Sequence, residues 1–186
     1  MDAFSVTGVP NPYPSGHEVV IRVEATSVNP VDYKIRDGRA KFLAPKLPTI
    51  LHPDCSGVDT EVGAQVESLN VGDRVMAFAS GLMGKDGALA EFMAADSRMV
   101  AKIPEDLSFR AAAALPLVSV TSWYAMVEAA SAQPGMSVLV MGGTGGVGHV
   151  AIQLAKWKGA HVVAVCGSYQ KCEIAKRLGA DDAVNY

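Results

Sequence analysis

Gly143, Gly145 and Gly148 stand at G-x-G-x-x-G spacing. Just before them, Val138 to Met141 is an apolar run of strand length, too short for a helix. After them, Val147, Val150, Ala151 and Leu154 recur at helical spacing, with Lys156 and Lys158 ahead of a stop at Gly159. The stretch from Ser137 to Gly159 therefore predicts a strand, a tight glycine turn and a helix N-terminus. Glycines let the backbone turn sharply and let a pyrophosphate lie against it with no Cβ in the way. Free N–H groups opening the helix, with the positive end of its dipole, attract the phosphate charge. A lone glycine cluster also serves plain capping turns. The strand before and the helix after supply the context that a dinucleotide site requires. The candidate cofactor-binding residues here are Gly143, Thr144, Gly145, Gly146, Val147 and Gly148.

The type of dinucleotide is read about 20 residues further on, where an NAD site carries Asp or Glu for the ribose 2′-hydroxyl. Here the second strand ends in Val165-Cys166-Gly167-Ser168-Tyr169-Gln170-Lys171, with no carboxylate before Glu173. A carboxylate would repel a 2′-phosphate, whereas Ser168 can hydrogen-bond one and Lys171 can neutralise it. The stretch favours NADP(H). The competing reading makes Ser168 an ordinary N-cap and Lys171 a solvated helix charge.

The elements that must position these residues come next. The chain has 186 residues, 49% of them hydrophobic and 19% charged, which permits a real core and argues against disorder. A net charge of −3 gives no electrostatic footprint for nucleic acid or an anionic membrane. No apolar run approaches membrane-spanning length, and the N-terminus lacks a signal-peptide pattern. A soluble, cytoplasmic protein is expected. Cys55, Cys166 and Cys172 are scattered, without disulfide-framework or zinc-ligand spacing, and read as small buried hydrophobes.

Residues 1–16 are a loop rich in proline and glycine. His17 to Ala25 alternates apolar and polar residues and predicts a half-buried antiparallel strand, broken at Asn29-Pro30-Val31-Asp32. Residues 41–53 should be irregular. Strands are expected at Cys55–Asp59, Glu61–Val66, Met76–Phe78, Ala88–Ala94 and Arg98–Ile103, with a surface loop over residues 79–87. Short strands with many turns point to a small irregular β-barrel or sandwich over residues 1–105. Beyond Pro104, helices are expected at Phe109–Leu115 and Leu117–Ala130, the second keeping Trp123 and Met126 on one side. Strands and helices then alternate: strand 138–141, helix 147–158, strand 161–166, helix 169–178 and strand 183–186. That order implies a parallel sheet with right-handed crossovers over residues 106–186.

Four motifs in order, VNPVDYKIRDG, VGDRVMAF, AAALPLVSVTSW and VLVMGGTGGVGHVAIQLAK, resemble the medium-chain dehydrogenase/reductase superfamily. Within it they are most similar to the zinc-free branch of quinone oxidoreductase-like and enone-reducing enzymes. The resemblance covers nearly the whole chain. It implies α/β plus β architecture: a GroES-like irregular β-barrel followed by the first half of a Rossmann doubly wound parallel sheet, with substrate held in the cleft between them. It also implies homodimers. Zinc-dependent members carry ligands where this chain has Asn29, Pro53, Asp54 and Val118, and a cysteine-rich lobe with no counterpart around residues 79–90. Zinc needs three protein ligands, so no metal is expected. His52 lies beside the second position and reads as structural.

By the same resemblance, hydride from NADPH passes to a quinone or to the β-carbon of an α,β-unsaturated carbonyl, and the developing oxyanion needs a donor or a positive charge. Lys34 matches a lysine near the nicotinamide, with Tyr33 one place before it, and a solvated charge as the rival reading. Asn29 matches an asparagine facing the nicotinamide ribose and amide, with capping of the turn at Pro30 as its rival role. Asp32 matches a residue that structures that turn. Thr121 matches a threonine whose hydroxyl reaches the cofactor. Tyr186 matches a tyrosine packing near the adenosine 2′-phosphate. Leu82, Met83, Phe92 and Trp123 are candidates for an apolar cleft or for core. Against the family pattern the chain lacks an opening strand and the second Rossmann half, which suggests truncation. The alternative reading is therefore a non-catalytic nucleotide-binding or structural remnant of such an enzyme.

Overall fold

The structure, a computed structural model, describes residues 4–40, 42–43, 49–79 and 85–186. It divides into two compact units, Met1–Pro116 and Leu117–Tyr186. Leu82 and Met83, with parts of the irregular stretches expected at 41–53 and 79–87, lie outside the described residues.

The first unit is built on a five-stranded antiparallel sheet in the order β4-β1-β2-β3-β5. The strands are β1 (Glu18–Thr26), β2 (Asp54–Val62), β3 (Arg74–Phe78), β4 (Phe92–Asp96) and β5 (Val100–Lys102). β1 is the hub, paired with β2 on one side and β4 on the other. Register shifts between Val20 and Ile21 and between Val23 and Ala25 bend it. Its inward residues Val19 and Ile21 pack with Cys55, Leu69, Val75, Ala77, Met93 and Ala95 in one core.

Several expected boundaries move, each for a local reason. The strands expected at 55–59 and 61–66 are one strand, β2, which ends where Gly63 donates to Glu18 O and accepts from Val66 N. β4 begins only at Phe92, because the N–H groups of Ala88 and Leu89 bond instead to His52 O and Leu51 O. Arg98 belongs to a short 3-10 turn over Ser97–Met99, whose N-cap Asp96 accepts from Arg98 N. The expected break at Asn29–Asp32 is the start of a helix, α1 (Pro30–Arg36), with Pro30 in its first turn. Ile35 of α1, Ala40 and Leu51 form a second small core that ties α1 to the segment before β2.

A short helix, α2 (Phe109–Ala112), is capped by Ser108, whose hydroxyl accepts from Ala111 N. It is held by Ser56, whose hydroxyl donates to Phe109 O at 2.6 Å, and by Arg74, whose guanidinium lies 4.8 Å from the Phe109 ring centre.

The second unit is a three-stranded parallel sheet in the order β6-β7-β8: β6 (Ser137–Met141), β7 (His161–Cys166) and β8 (Asp182–Asn185). Helices α4 (Gly146–Trp157) and α5 (Tyr169–Arg177) connect the strands. The buried residues Val140, Ile152, Ala155, Val162, Ala164 and Ala175 form its core. The helix expected over 117–130 is α-helical only over α3 (Pro116–Trp123) and continues as a wider π turn over Tyr124–Ala129. Met126 packs against the core, whereas Trp123 is 45% exposed.

One core residue conflicts with its surroundings. Asp59 of β2 is 1% exposed, and both carboxylate oxygens are buried with no hydrogen-bond partner among the described residues. Burial, reinforced by Asp73 and opposed by Lys102, pushes its carboxyl up to about 7. A folded-state value raised above the unfolded one means the folded chain holds a proton that the unfolded chain releases. The associated stability is full below about pH 4 and is lost as pH rises to about 7. Asp59→Val is expected to raise stability above pH 7 by about 1–3 kcal/mol, the usual cost of an unpaired buried polar group. It should also flatten this part of the pH profile. Urea titrations of both proteins at pH 5 and pH 8 check this, and equal stabilities at pH 8 would contradict it.

Candidate functional site

The turn between β6 and α4 is built from glycines for steric reasons. Gly142 has φ +68, a left-handed conformation that L side chains resist, and a Cβ there would meet nothing within 4 Å. Gly148, buried in the first turn of α4, packs directly on that turn: a Cβ at Gly148 would fall 2.2 Å from Gly142 O. The helix can start flush against the strand end only because no side chain intervenes. Gly143 N donates to Val165 O, so the turn is also stitched to β7.

Gly145 is the N-cap of α4 and no side chain caps the helix. The first-turn N–H groups at Gly146, Val147 and Gly148 are those an α-helix leaves without internal partners. The turn thus offers donors, a helix dipole and five glycines that keep Cβ atoms off most of its surface, which suits a diphosphate. The residues present fit the group.

Ser122, which the sequence reading passed over, fixes this arrangement from outside. It is fully buried on α3, and its hydroxyl donates to Val147 O at 2.9 Å. The neighbouring Thr121 is exposed and its hydroxyl donates to Leu117 O, one turn back in the same helix. Its lone pairs remain to accept a hydrogen bond.

At the C-terminal end of β7, Ser168 is the N-cap of α5, and its Oγ accepts from Lys171 N. Lys171 is exposed, and among the described residues its ammonium pairs with no carboxylate. Tyr186 closes the same corner: its N–H donates to Cys166 O, and its Oη is 3.5 Å from where a Cβ on Gly167 would lie. Asn185, also unforeseen, has a buried Oδ1 without a partner one residue earlier. Asp181 and Asp182 sit at the opposite end of the sheet. Asp181 accepts from Lys156 and from Val162 N, and Asp182 pairs in register with Val163. The fold therefore gathers Ser168, Lys171 and Tyr186 at one strand end and keeps these two carboxylates at the other.

In the first unit, Asn29, Asp32, His52 and Asp54 are buried polar residues. Asn29 is the N-cap of α1. Its N–H donates to Asp32 Oδ2 at 2.6 Å, and its amide Nδ2 donates to Asp54 Oδ2 at 2.8 Å. Ser27 also donates to that Asp54 oxygen, at 2.9 Å. Asp32 Oδ1 is buried without a hydrogen-bond partner among the described residues. Burial pushes the Asp32 carboxyl up, opposed by the Asn29 N–H and by His52.

His52 has φ +72 and precedes Pro53, a position that normally demands extended backbone. Such strain costs about 1–3 kcal/mol and persists only where neighbours over-determine it. Here Gly87 N donates to Ile50 O, Leu89 N to Leu51 O and Ala88 N to His52 O. Lys34, in the last turn of α1, is exposed, and among the described residues its ammonium has no ion-pair partner. No group of three His, Cys, Asp or Glu among the described residues is placed to hold a metal. No described helix is long and apolar enough to cross a membrane.

Comparison with known proteins follows the same division. The profile of the alcohol dehydrogenase GroES-like domain matches residues 15–105, and that of the zinc-binding dehydrogenase matches residues 146–186. The chloroplast envelope quinone oxidoreductase homolog of Arabidopsis thaliana is 41% identical, over 96% of this chain and 55% of its own length. The 2-methylene-furan-3-one reductase of Solanum lycopersicum is 44% identical, over 91% of this chain and 45% of its own. The crystal structure of the Escherichia coli quinone oxidoreductase complexed with NADPH superposes with a TM-score of 0.81 at 31% identity. It covers 97% of this chain and 53% of that one. The chain thus spans about half the length of the relatives it matches.

The glycine turn yields a direct test. In Gly148→Ala the new Cβ would fall 2.2 Å from Gly142 O, so backbone must move. The expected outcome is a loss of dinucleotide affinity of about tenfold or more together with a lower thermal midpoint. Calorimetric titration with NADPH reads the first, and unchanged affinity would count against the turn as a phosphate cradle.

Proposed function

Because the chain belongs to the medium-chain dehydrogenase/reductase superfamily, we propose that it acts as an NADPH-dependent oxidoreductase on a quinone or an α,β-unsaturated carbonyl, without a metal. One observation carries the reading. An uncapped glycine turn at the start of α4 is joined to a strand end that bears Ser168 and Lys171 and no carboxylate. The names of the relatives support it: one is a quinone oxidoreductase homolog, another a 2-methylene-furan-3-one reductase, and a quinone oxidoreductase of this fold was solved in complex with NADPH.

The bound NADP(H) supplies the hydride. The chain's own residues do the rest. Backbone N–H groups of Gly146, Val147 and Gly148 take the diphosphate, backed by the α4 dipole. Gly143, Thr144 and Gly145 shape the turn beneath it. Lys171 neutralises the 2′-phosphate, Ser168 hydrogen-bonds it, and the Tyr186 ring flanks it. The Thr121 hydroxyl accepts from the cofactor.

Reduction of a conjugated carbonyl leaves negative charge on its oxygen, and a fixed cation there lowers the barrier. Lys34, exposed on a short helix and without an ion-pair partner among the described residues, fills that role. Asn29 supports it by fixing the start of α1 through its bonds to Asp32 and Asp54.

Two measurements test the proposal. Calorimetric titration should show NADPH binding more tightly than NADH. Lys171→Glu should weaken NADPH by about tenfold or more while sparing NADH, because one charge-assisted phosphate bond is worth about 1.5–3 kcal/mol. Equal affinity for the two coenzymes would sink the cofactor assignment. Consumption of NADPH with a simple enone or naphthoquinone should be measurable and should fall about a hundredfold in Lys34→Met, the usual weight of one oxyanion-stabilising group. Binding without turnover would leave the cofactor assignment standing and remove the reductase.

A further inference from the structure

We propose that His52, with Asp32 as its counter-charge, supplies the proton that completes reduction of the substrate; this rests on the reductase reading above. Four observations on the first unit lead there.

The first is the backbone. His52 is the buried one of two non-glycine residues with positive φ among the described residues, and it stands before a proline. Glycine would occupy that conformation without strain. The three hydrogen bonds from the N–H groups of Gly87, Ala88 and Leu89 to the carbonyls of Ile50, His52 and Leu51 hold the backbone there against its own preference. Strain of this kind concentrates where a side chain must be presented for function.

The second is the tautomer. Thr26 Oγ1 donates to Asp54 O at 2.7 Å, an oxygen that can only accept. The hydroxyl proton is therefore committed. The contact between Thr26 Oγ1 and His52 Nδ1 at 3.3 Å must then run from Nδ1–H to the hydroxyl. That leaves Nε2 as the nitrogen that gains and gives a proton, and among the described residues it has no hydrogen-bond partner.

The third is the charge. Asp32, 3% exposed, has one carboxylate oxygen bound to Asn29 N and the other buried without a partner. Burial pushes this carboxyl up, the Asn29 N–H opposes that most, and His52 opposes it to a smaller degree. A lone buried carboxylate oxygen is expensive, and a nearby imidazolium offsets that cost. The 87–89 segment brings only Gly, Ala and Leu against His52. Asp54 is engaged by Ser27 and Asn29.

The fourth is continuity with the remaining site candidates. Asn29 touches both Asp32 and Asp54, so the His52 network shares α1 with Lys34.

The step balances. Hydride from NADPH would form the C–H bond at the β-carbon, the C=C π pair would become the Cα=C bond of an enolate, the C=O π pair would move onto oxygen, and NADP⁺ would remain. The α-carbon of the resulting enolate takes H⁺ from His52 Nε2–H as the C=O bond re-forms, giving the saturated carbonyl. His52 is left neutral with Nδ1–H still on Thr26, and solvent restores the Nε2 proton. Lys34 and His52 divide the work: one holds the oxyanion, the other delivers the proton.

The test uses the full chain with His52→Gly and His52→Asn, both residues at ease at positive φ. NADPH affinity should be unchanged. Turnover should fall about a hundredfold, the ordinary weight of a general acid. Added imidazole should restore part of the turnover in His52→Gly, a readout that a merely structural histidine would not move. Independently of activity, side-chain ¹H–¹⁵N spectra should show Nδ1–H on His52 when neutral. The Asp32 carboxyl should titrate higher in His52→Asn than in the parent. Full turnover in the variants, an Nε2–H tautomer or an unmoved Asp32 would each overturn the proposal. If the parent oxidises no NADPH with any quinone or enone, the reductase reading fails, while the tautomer and the Asp32 titration still judge the pair.

Discussion

The second unit depends on the contact between Gly148 and the carbonyl of Gly142. A single methyl group there would sit 2.2 Å from the oxygen, closer than any real side chain approaches. Because it is missing, the first turn of α4 packs directly on the turn that follows β6. The remaining contacts secure that geometry. Gly143 N reaches across to Val165 O, and Ser122 reaches from α3 to Val147 O. Close packing of this sort leaves little room for drift, so the donors are fixed before any ligand arrives.

The first unit is organised on the opposite principle. Its decisive residues are buried and polar, and each is held by hydrogen bonds rather than by packing. Asp54 collects Ser27 and Asn29, and its carbonyl accepts from Thr26. Asp32 stays half satisfied, and His52 holds a strained backbone. Polar networks of this kind specify one arrangement when complete and are costly when incomplete. Asp59 shows the cost without any evident partner. It is buried on β2 and holds a proton that its solvated counterpart would release.

Much of the cofactor region was legible because its signals are local. Period-two and period-3.6 patterns placed β6, β7, α4 and α5 to within a residue or two of their ends. Ser168 was readable both as a cap and as a phosphate donor, and the structure shows the cap. Legibility failed where one segment's backbone was claimed by another. Ala88 and Leu89 read as strand, yet their N–H groups go to Leu51 and His52. Asn29–Asp32 read as a break, yet the proline there opens a helix whose Ile35 is buried with Leu51.

The amino-acid order alone settled the strand–turn–helix at residues 137–159 and the missing acid after β7. Both are properties of neighbouring residues, where spacing fixes direction and side-chain type fixes charge. Tertiary structure decided that the Asn29 amide goes to Asp54, that Ser122 pins Val147, and that His52 is forced into a left-handed backbone. Those outcomes rest on hydrogen bonds spanning 25 or more residues, which leave no periodic trace in the chain. They exist only once the sheets have brought distant donors and acceptors to the same place.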